Sequence, residues 1–255
     1  MKIVTLMENT SCREDICFEH GLSLYLETQG RKILFDAGQS GAFADNARLL
    51  GVDLKEVDFA VLSHGHYDHS GGFHKFLEIN ASAPVYVSHW AFEPHWESDG
   101  RYVGVDLSLG ESDQIRYVAE ETVLAEGITL YRMEKAPMDT AGLLVEENGV
   151  RKPDDFRHEQ YLLVEEAGKR ILISGCSHKG ILNIMDAFRP DILIGGFHFM
   201  KIEEEEKLQQ AANKLLEYDT VYYTGHCTGQ KQYDLLKNIM GDRLHYISAG
   251  TVLAV

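Results

Sequence analysis

Short apolar runs alternate with glycine-rich loops along most of the chain. Residues 2–7 are β-branched and weakly alternating and read as a first strand, which Glu8-Asn9-Thr10 ends with turn-forming side chains. Over residues 21–28, Leu22, Leu24 and Leu26 alternate with Ser23, Tyr25 and Glu27, as in a strand with one buried face. Gln29-Gly30 then turns the chain into a return strand at residues 32–35. A helical pattern at residues 40–50 is ended by Gly51. Phe59-Ala60-Val61-Leu62 is short, apolar and abruptly stopped, the signature of a buried strand that delivers a loop. A helix follows to Ile79, with Ser70-Gly71-Gly72 as its capped start.

Further strands are expected at residues 84–88, 128–133, 143–147, 161–164, 169–174, 191–194, 220–223 and 243–248. Helices are expected at residues 181–188, 201–218 and 230–240, and a polar loop at residues 151–158. Strand, glycine-rich loop and helix recur with no linker and no repeat, so one α/β domain spanning residues 1–255 is the economical reading. Between His89 and Tyr117 the periodicity degrades into aromatic and turn residues. Inserted loops of this kind carry specificity, so Trp90 and Trp96 are candidates to stack on a flat substrate. A helix packed by its aromatic face is the alternative.

The chemistry concentrates after the buried strand. His64-Gly65-His66-Tyr67-Asp68-His69 places three histidines and an aspartate within six positions. Imidazole and carboxylate are ligands that zinc, iron or manganese accept. Left bare in a desolvated loop these side chains would be unfavourable neighbours, so the stretch reads as a metal site. Gly65 is expected to let the backbone turn so that both flanking rings converge. His64, His66 and a third histidine would hold one ion, and Asp68, His69 and a fourth histidine a second. Cys176, His178 and His158 are all candidates to complete the set, and His226 follows a later strand. Asp36 ends the strand at residues 32–35. Lys179, at a helix start, is a candidate anion contact, and His198, after Gly195-Gly196, a candidate substrate contact.

The remaining totals narrow the partners. The 255 residues carry a formal net charge of −16, which repels phosphate backbones and argues against nucleic acid. A small-molecule substrate is the expected partner, and the oligomeric state is left open. The four cysteines, Cys12, Cys17, Cys176 and Cys227, are too few and uneven for a disulfide framework. The N-terminal apolar run is too short for a signal peptide, and no run reaches the length of a membrane span. A cytoplasmic protein without membrane partners is the expectation.

The His-x-His-x-Asp-His loop after a buried strand resembles the signature of the metallo-β-lactamase-fold superfamily. That resemblance implies a four-layer α/β/β/α sandwich and two divalent metal ions, zinc foremost, with manganese or iron as alternatives. It implies that Asp36 orients a ligand histidine, that His226 is the last ligand, and that Cys176 stands where an aspartate commonly bridges the ions. Glu8-Asn9-Thr10, Glu19-His20-Gly21, Gly175-Cys176-Ser177-His178, Gly195-Gly196-Phe197-His198 and Thr224-Gly225-His226-Cys227 resemble one subfamily more closely, that of dihydropterin–ribofuranosylaminobenzene 5′-phosphate synthase. In its pattern the Cys-Ser-His loop is fixed, which favours His178 over His158 and keeps Cys176 as a candidate ligand. The implied activity is metal-assisted hydrolysis of a small anionic, heterocyclic substrate by hydroxide that the ions generate, with Asp68, His178 and His198 as catalytic candidates. The alternatives are a transferase that releases pyrophosphate and an iron-dependent redox enzyme. Flavodiiron members carry a glutamate where this chain has His66, which disfavours the last.

Overall fold

Strands buried on both faces account for the continuous apolar runs. In the computed structural model, which describes residues 1–137 and 142–255, Ile33 and Phe35 of one strand point into a core between two sheets. Leu34 of the same strand packs into a second core beneath helices. Ile171 and Ile173, and Ile192 and Ile194, join the central core, while Leu172 and Leu193 face a third. Each hydrophobic strand is therefore shared by two cores.

The first sheet contains β1 (Lys2–Met7), β2 (Ser23–Thr28), β3 (Arg31–Phe35), β4 (Phe59–Val61) and β5 (Val85–Ser88). The second is built mainly from β12 (Gln160–Glu166), β13 (Lys169–Ile173), β14 (Ile192–Ile194), β15 (Val221–Thr224) and β16 (Leu244–Tyr246). Apart from these, β6 (His95–Glu97), β10 (Leu143–Glu147) and β11 (Val150–Pro153) form a small sheet of their own. The edges of the large sheets are β7 (Ile115–Val118) and β17 (Val252–Ala254) on the first, and β8 (Glu121–Ala125) next to β9 (Ile128–Arg132) on the second. Helices α1 (Ala42–Leu49), α2 (Tyr67–Ser70) and α3 (Phe73–Ile79) lie on the first side, and α4 (Ile181–Phe188), α5 (Glu205–Leu215) and α6 (Gln230–Met240) on the second. The order of layers is helix, sheet, sheet, helix, the expected four-layer α/β/β/α sandwich.

Several expectations needed correction. Residues 151–153 are not loop but part of β11, paired with β10. Strands β6, β7, β8 and β17, three to five residues long, fall outside the expected elements. The acidic helix is shorter than its charge pattern: Glu203 and Glu204 precede it and only Glu205 and Glu206 sit in its first turn. Helix α3 starts at Gly72 without a side-chain cap.

Strands β3, β4 and β5 run parallel, as do β13 to β16, and the loops at their C-terminal ends meet across the sandwich. Gln160 joins the sheets there by three hydrogen bonds. Its backbone N–H donates to Ser63 O (2.8 Å), and its side-chain amide donates to Leu62 O (2.7 Å) and Tyr86 O (3.2 Å). Leu24→Ala, in the core between the sheets, is expected to destabilise by about 2–5 kcal/mol, read as a lowered urea midpoint with an unchanged slope.

Candidate metal centre

The loop after β4 is held from below by one carboxylate. Asp36 Oδ1 accepts from the Ser63 N–H (2.7 Å), and Oδ2 accepts from the Ser63 hydroxyl (2.7 Å) and from His69 Nδ1–H (2.6 Å). With its own proton on Asp36, Ser63 Oγ accepts from His64 Nδ1–H at 2.8 Å. Asn9 does the same for the far wall: its Oδ1 accepts from the Gly21 N–H (3.2 Å) and from His226 Nδ1–H (2.8 Å). The protons of His64, His69 and His226 are thus placed on Nδ1, and their Nε2 lone pairs all point inward.

Those inward nitrogens crowd one another. His69 Nε2 lies 3.2 Å from His226 Nε2 and 3.2 Å from Cys176 Sγ; His64 Nε2 lies 3.3 Å from His178 Nε2. Facing lone pairs at such distances repel unless a cation lies between them. Two ligands on one tetrahedral ion, each about 2.0–2.1 Å away, are themselves about 3.3 Å apart. The donor set therefore fits divalent metal.

Two groups stand out. The rings of His64, His66 and His178 form a near-equilateral triangle, with centroids 4.6, 4.8 and 4.8 Å apart. Asp68 Oδ2 lies 3.3 Å from His226 Nε2 and 3.8 Å from His69 Nε2. Cys176 is close to donors of both groups. Burial, reinforced by neighbouring histidines, holds the pKa values of His64 and His178 well below the ordinary value, and burial does the same to His66. All three rings are neutral and able to ligate. Burial pushes Asp68 upward, but His69, His20 and His226 outweigh it and keep the carboxyl well below its usual range.

Backbone strain collects here. Asp36, Ser177, His198 and His226 have φ of 57°, 58°, 57° and 49°. Non-glycine residues in this region each cost about 1–3 kcal/mol and persist where their surroundings over-determine them. Gly65 has another role than the one expected: its φ is not positive, and a Cβ there would lie 2.3 Å from Ala91 O. Close approach, rather than a left-handed turn, requires glycine. Gly65→Ala is expected to displace the loop and to lower metal content in elemental analysis.

His158 has no lone pair to give. Its Nδ1 accepts from the Gly65 N–H (2.8 Å), and its Nε2–H faces Asp154 Oδ2 (3.3 Å). Asp154 also accepts from His95 Nδ1–H (2.8 Å) and from the Phe156 N–H (2.7 Å). Phe156 stacks on His178 with ring centroids 4.5 Å apart. Burial raises the Asp154 pKa, but His158 and His95 overcome it and hold the carboxyl below its usual range. Asp154 so braces both the metal loop and His178.

Three candidate contacts lie elsewhere. Lys179 is buried and its ammonium donates to Asp155 O (2.6 Å). The anion at this loop is the chain's own Glu159, which accepts from the N–H groups of His178 (2.6 Å) and Lys179 (2.9 Å). Trp90 lies under Arg132 and Trp96 under Arg151, with guanidinium carbons 4.6 and 3.6 Å from the ring centroids. Neither tryptophan lines the cavity, because each ring is covered by an arginine. His198 does line it, as do His66, Asp68, Cys176, His178 and His226. The walls add Tyr67, Arg101, Lys201 and His20, whose Nε2 lies 3.2 Å from Asp68 Oδ2. Asn9, Ser63, Asp154 and Glu159 were missed because polar residues outside the histidine loop carry no spacing signal. His20 and Asn9 stood in the motif blocks and were given no role.

The family model of the metallo-β-lactamase superfamily matches residues 18–226. The chain belongs to that superfamily. Among relatives of this superfamily chain is the 7,8-dihydropterin-6-methyl-4-(β-D-ribofuranosyl)-aminobenzene-5′-phosphate synthase of Methanocaldococcus jannaschii, 26% identical over 99% of this chain and 96% of the relative. A crystal structure of a metal-dependent hydrolase of the β-lactamase superfamily superposes with a TM-score of 0.86 at 29% identity, covering 100% of this chain and 99% of the other. Zinc-bound PqqB from Methylobacterium extorquens shares the fold, with a TM-score of 0.62 at 11% identity over 100% of both chains. Among the described residues, no helix of this superfamily member is long and apolar enough to cross a membrane.

Proposed function

We propose that this chain is a metal-dependent hydrolase that acts on a small anionic substrate. The observation that carries the reading is the pair of adjoining donor groups: His64, His66 and His178 in one, Asp68, His69 and His226 in the other, with Cys176 close to both, of which all but His64 and His69 line the cavity. When bound, two divalent ions supply a lowered pKa for water and a polarised scissile group. The residues supply the rest. Asp36 and Asn9 fix the ring orientations that present Nε2, an arrangement that strengthens ligand histidines. Asp68, ionised and in contact with His20, is placed to take up a proton as the nucleophile forms. His198, with both ring nitrogens buried and without a partner among the described residues, is placed to donate to a bound substrate.

Zinc fits a nitrogen- and sulfur-containing set, and manganese or iron would fit the histidine and carboxylate donors. A panel of phosphoesters, lactones, β-lactams and pterin diphosphates, assayed with zinc and with manganese, tests the reading. Metal-dependent turnover of a small phosphoester is expected. Turnover confined to uncharged lactones would overturn the anionic assignment, and full activity in chelated protein would overturn the metal assignment. The full-length similarity to the synthase favours transfer as a second reading. Pyrophosphate released only when an arylamine acceptor is present, with no hydrolysis in its absence, would establish transfer instead.

A further inference from the structure

Histidines and acids line much of the cavity, but two half-exposed cations line it as well. Arg101 follows β6 in the small sheet, and Lys201 lies in the loop after β14. Both reach the same carboxylate. Glu97 accepts from an Arg101 guanidinium nitrogen (2.8 Å) and from Lys201 Nζ (3.3 Å). The cations are half exposed, at 56% each, whereas Glu97 is 22% exposed. The hydrogen bond from Arg101, helped by Lys201 and opposed by burial, holds the Glu97 carboxyl below its usual range. The chain's own carboxylate thus shows that an oxyanion is accepted between these side chains. Apolar Val103, Leu143 and Met200 share the lining with them.

We propose that Arg101 and Lys201 form an anion subsite in the cavity wall, which a phosphoryl group of the substrate occupies by displacing Glu97. Charge selects the phosphoryl class. With Glu97 turned away the two cations match a dianion in charge, whereas a carboxylate, as Glu97 does, touches both but balances only one of their two charges. A guanidinium fork pairs with phosphoryl oxygens two at a time, and the lysine adds a point charge. In a chain of net charge −16 this pair gives an approaching anion a local attraction. A substrate held there extends its uncharged body past Val103, Leu143 and Met200, with its reacting bond toward the histidine groups. Only that second anchor rests on the hydrolase reading; the subsite itself does not.

The probe is phenylphosphonate, which has no scissile ester, titrated calorimetrically into zinc-loaded and chelated protein. Benzoate serves as the monoanionic comparison. Arg101→Ala/Lys201→Ala is expected to raise the phenylphosphonate Kd by about tenfold or more in both forms, since charge-assisted hydrogen bonds are lost. Glu97→Gln, which removes the internal competitor, is expected to lower it several-fold. Arg48→Ala/Lys55→Ala removes the same charge elsewhere and is expected to change it by less than about twofold. Zinc content and circular dichroism identify any variant that has lost the fold, and Glu97→Gln gives a tightening that a misfolded protein cannot produce. A double variant that binds like wild type, a Glu97→Gln that does not tighten, benzoate bound as well as phenylphosphonate, or wild type that binds no phenylphosphonate in either form would overturn the subsite. Absence of metal or of turnover, with Arg101- and Lys201-dependent binding intact in chelated protein, would sink the hydrolase reading alone.

Discussion

Asp68→Ala is expected to bind one equivalent of transition metal where the wild-type chain binds two, and to lose turnover by about a thousandfold, the scale of losing a principal catalytic group. Asp68 supplies the carboxylate in its donor group, and its Oδ2 is within 3.8 Å of both His69 and His226. Without it, two imidazoles and the Cys176 sulfur face one another with no carboxylate to offset a dication. The His64, His66 and His178 group does not use Asp68 and is expected to keep its ion. Elemental analysis of protein purified without chelator, before and after added zinc, measures both. A wild-type protein that stays at a single equivalent with zinc in excess would rule out the two-ion arrangement. An Asp68→Ala protein that still takes up two would show that the carboxylate is not a ligand.

The second large effect is expected at a buried residue that does not line the cavity. Asp154→Ala removes the acceptor shared by His95 and His158 and leaves the Phe156 N–H unpaired. Removing one member of a buried charged network costs about 3–5 kcal/mol, so a clear drop in Tm is expected. The network also braces the Gly65 N–H through His158, and His178 through Phe156. The same variant is therefore expected to bind metal more weakly while reaching wild-type stoichiometry at saturation. His158→Ala separates support from ligation. Because His158 has both nitrogens engaged, it is expected to lower Tm without lowering saturated metal content, whereas His178→Ala is expected to lose an equivalent. If His158→Ala loses an equivalent at saturation and His178→Ala does not, the two roles are exchanged.

What the sequence made legible follows from how local each signal is. The histidine loop was plain because its donors are neighbours in the chain and the strand before it is apolar. The large sheets were legible for the same reason: Ile171 to Ile173 and Ile192 to Ile194 are apolar without interruption because both their faces are covered. The edge strands β7, β8 and β17 were not, since each is only three to five residues long, too short for a strand period to register. Trp90 and Trp96 misled because an aromatic cluster in a loop looks alike whether it faces a substrate or an arginine. Lys179 misled because Glu159, nineteen residues from His178 in the chain, fills the anion position at that loop. The Asp154 network was invisible, because its members come together only when β6, β11 and the loop before β12 pack.

The donors come from both sheets. His64, His66, Asp68 and His69 follow a strand of the first, and Cys176, His178 and His226 follow strands of the second. Neither half alone offers the three ligands of either group. Metal capture is therefore a readout of docking: a chain whose halves have formed but not closed on each other presents only partial chelates, which exchange their ions quickly. Ions held by these donors would lie across a seam, and each would act as a clasp that must open before the sheets can part. Loss of metal and separation of the sheets would then be a single event, with the ions discarded on unfolding instead of carried into the denatured state.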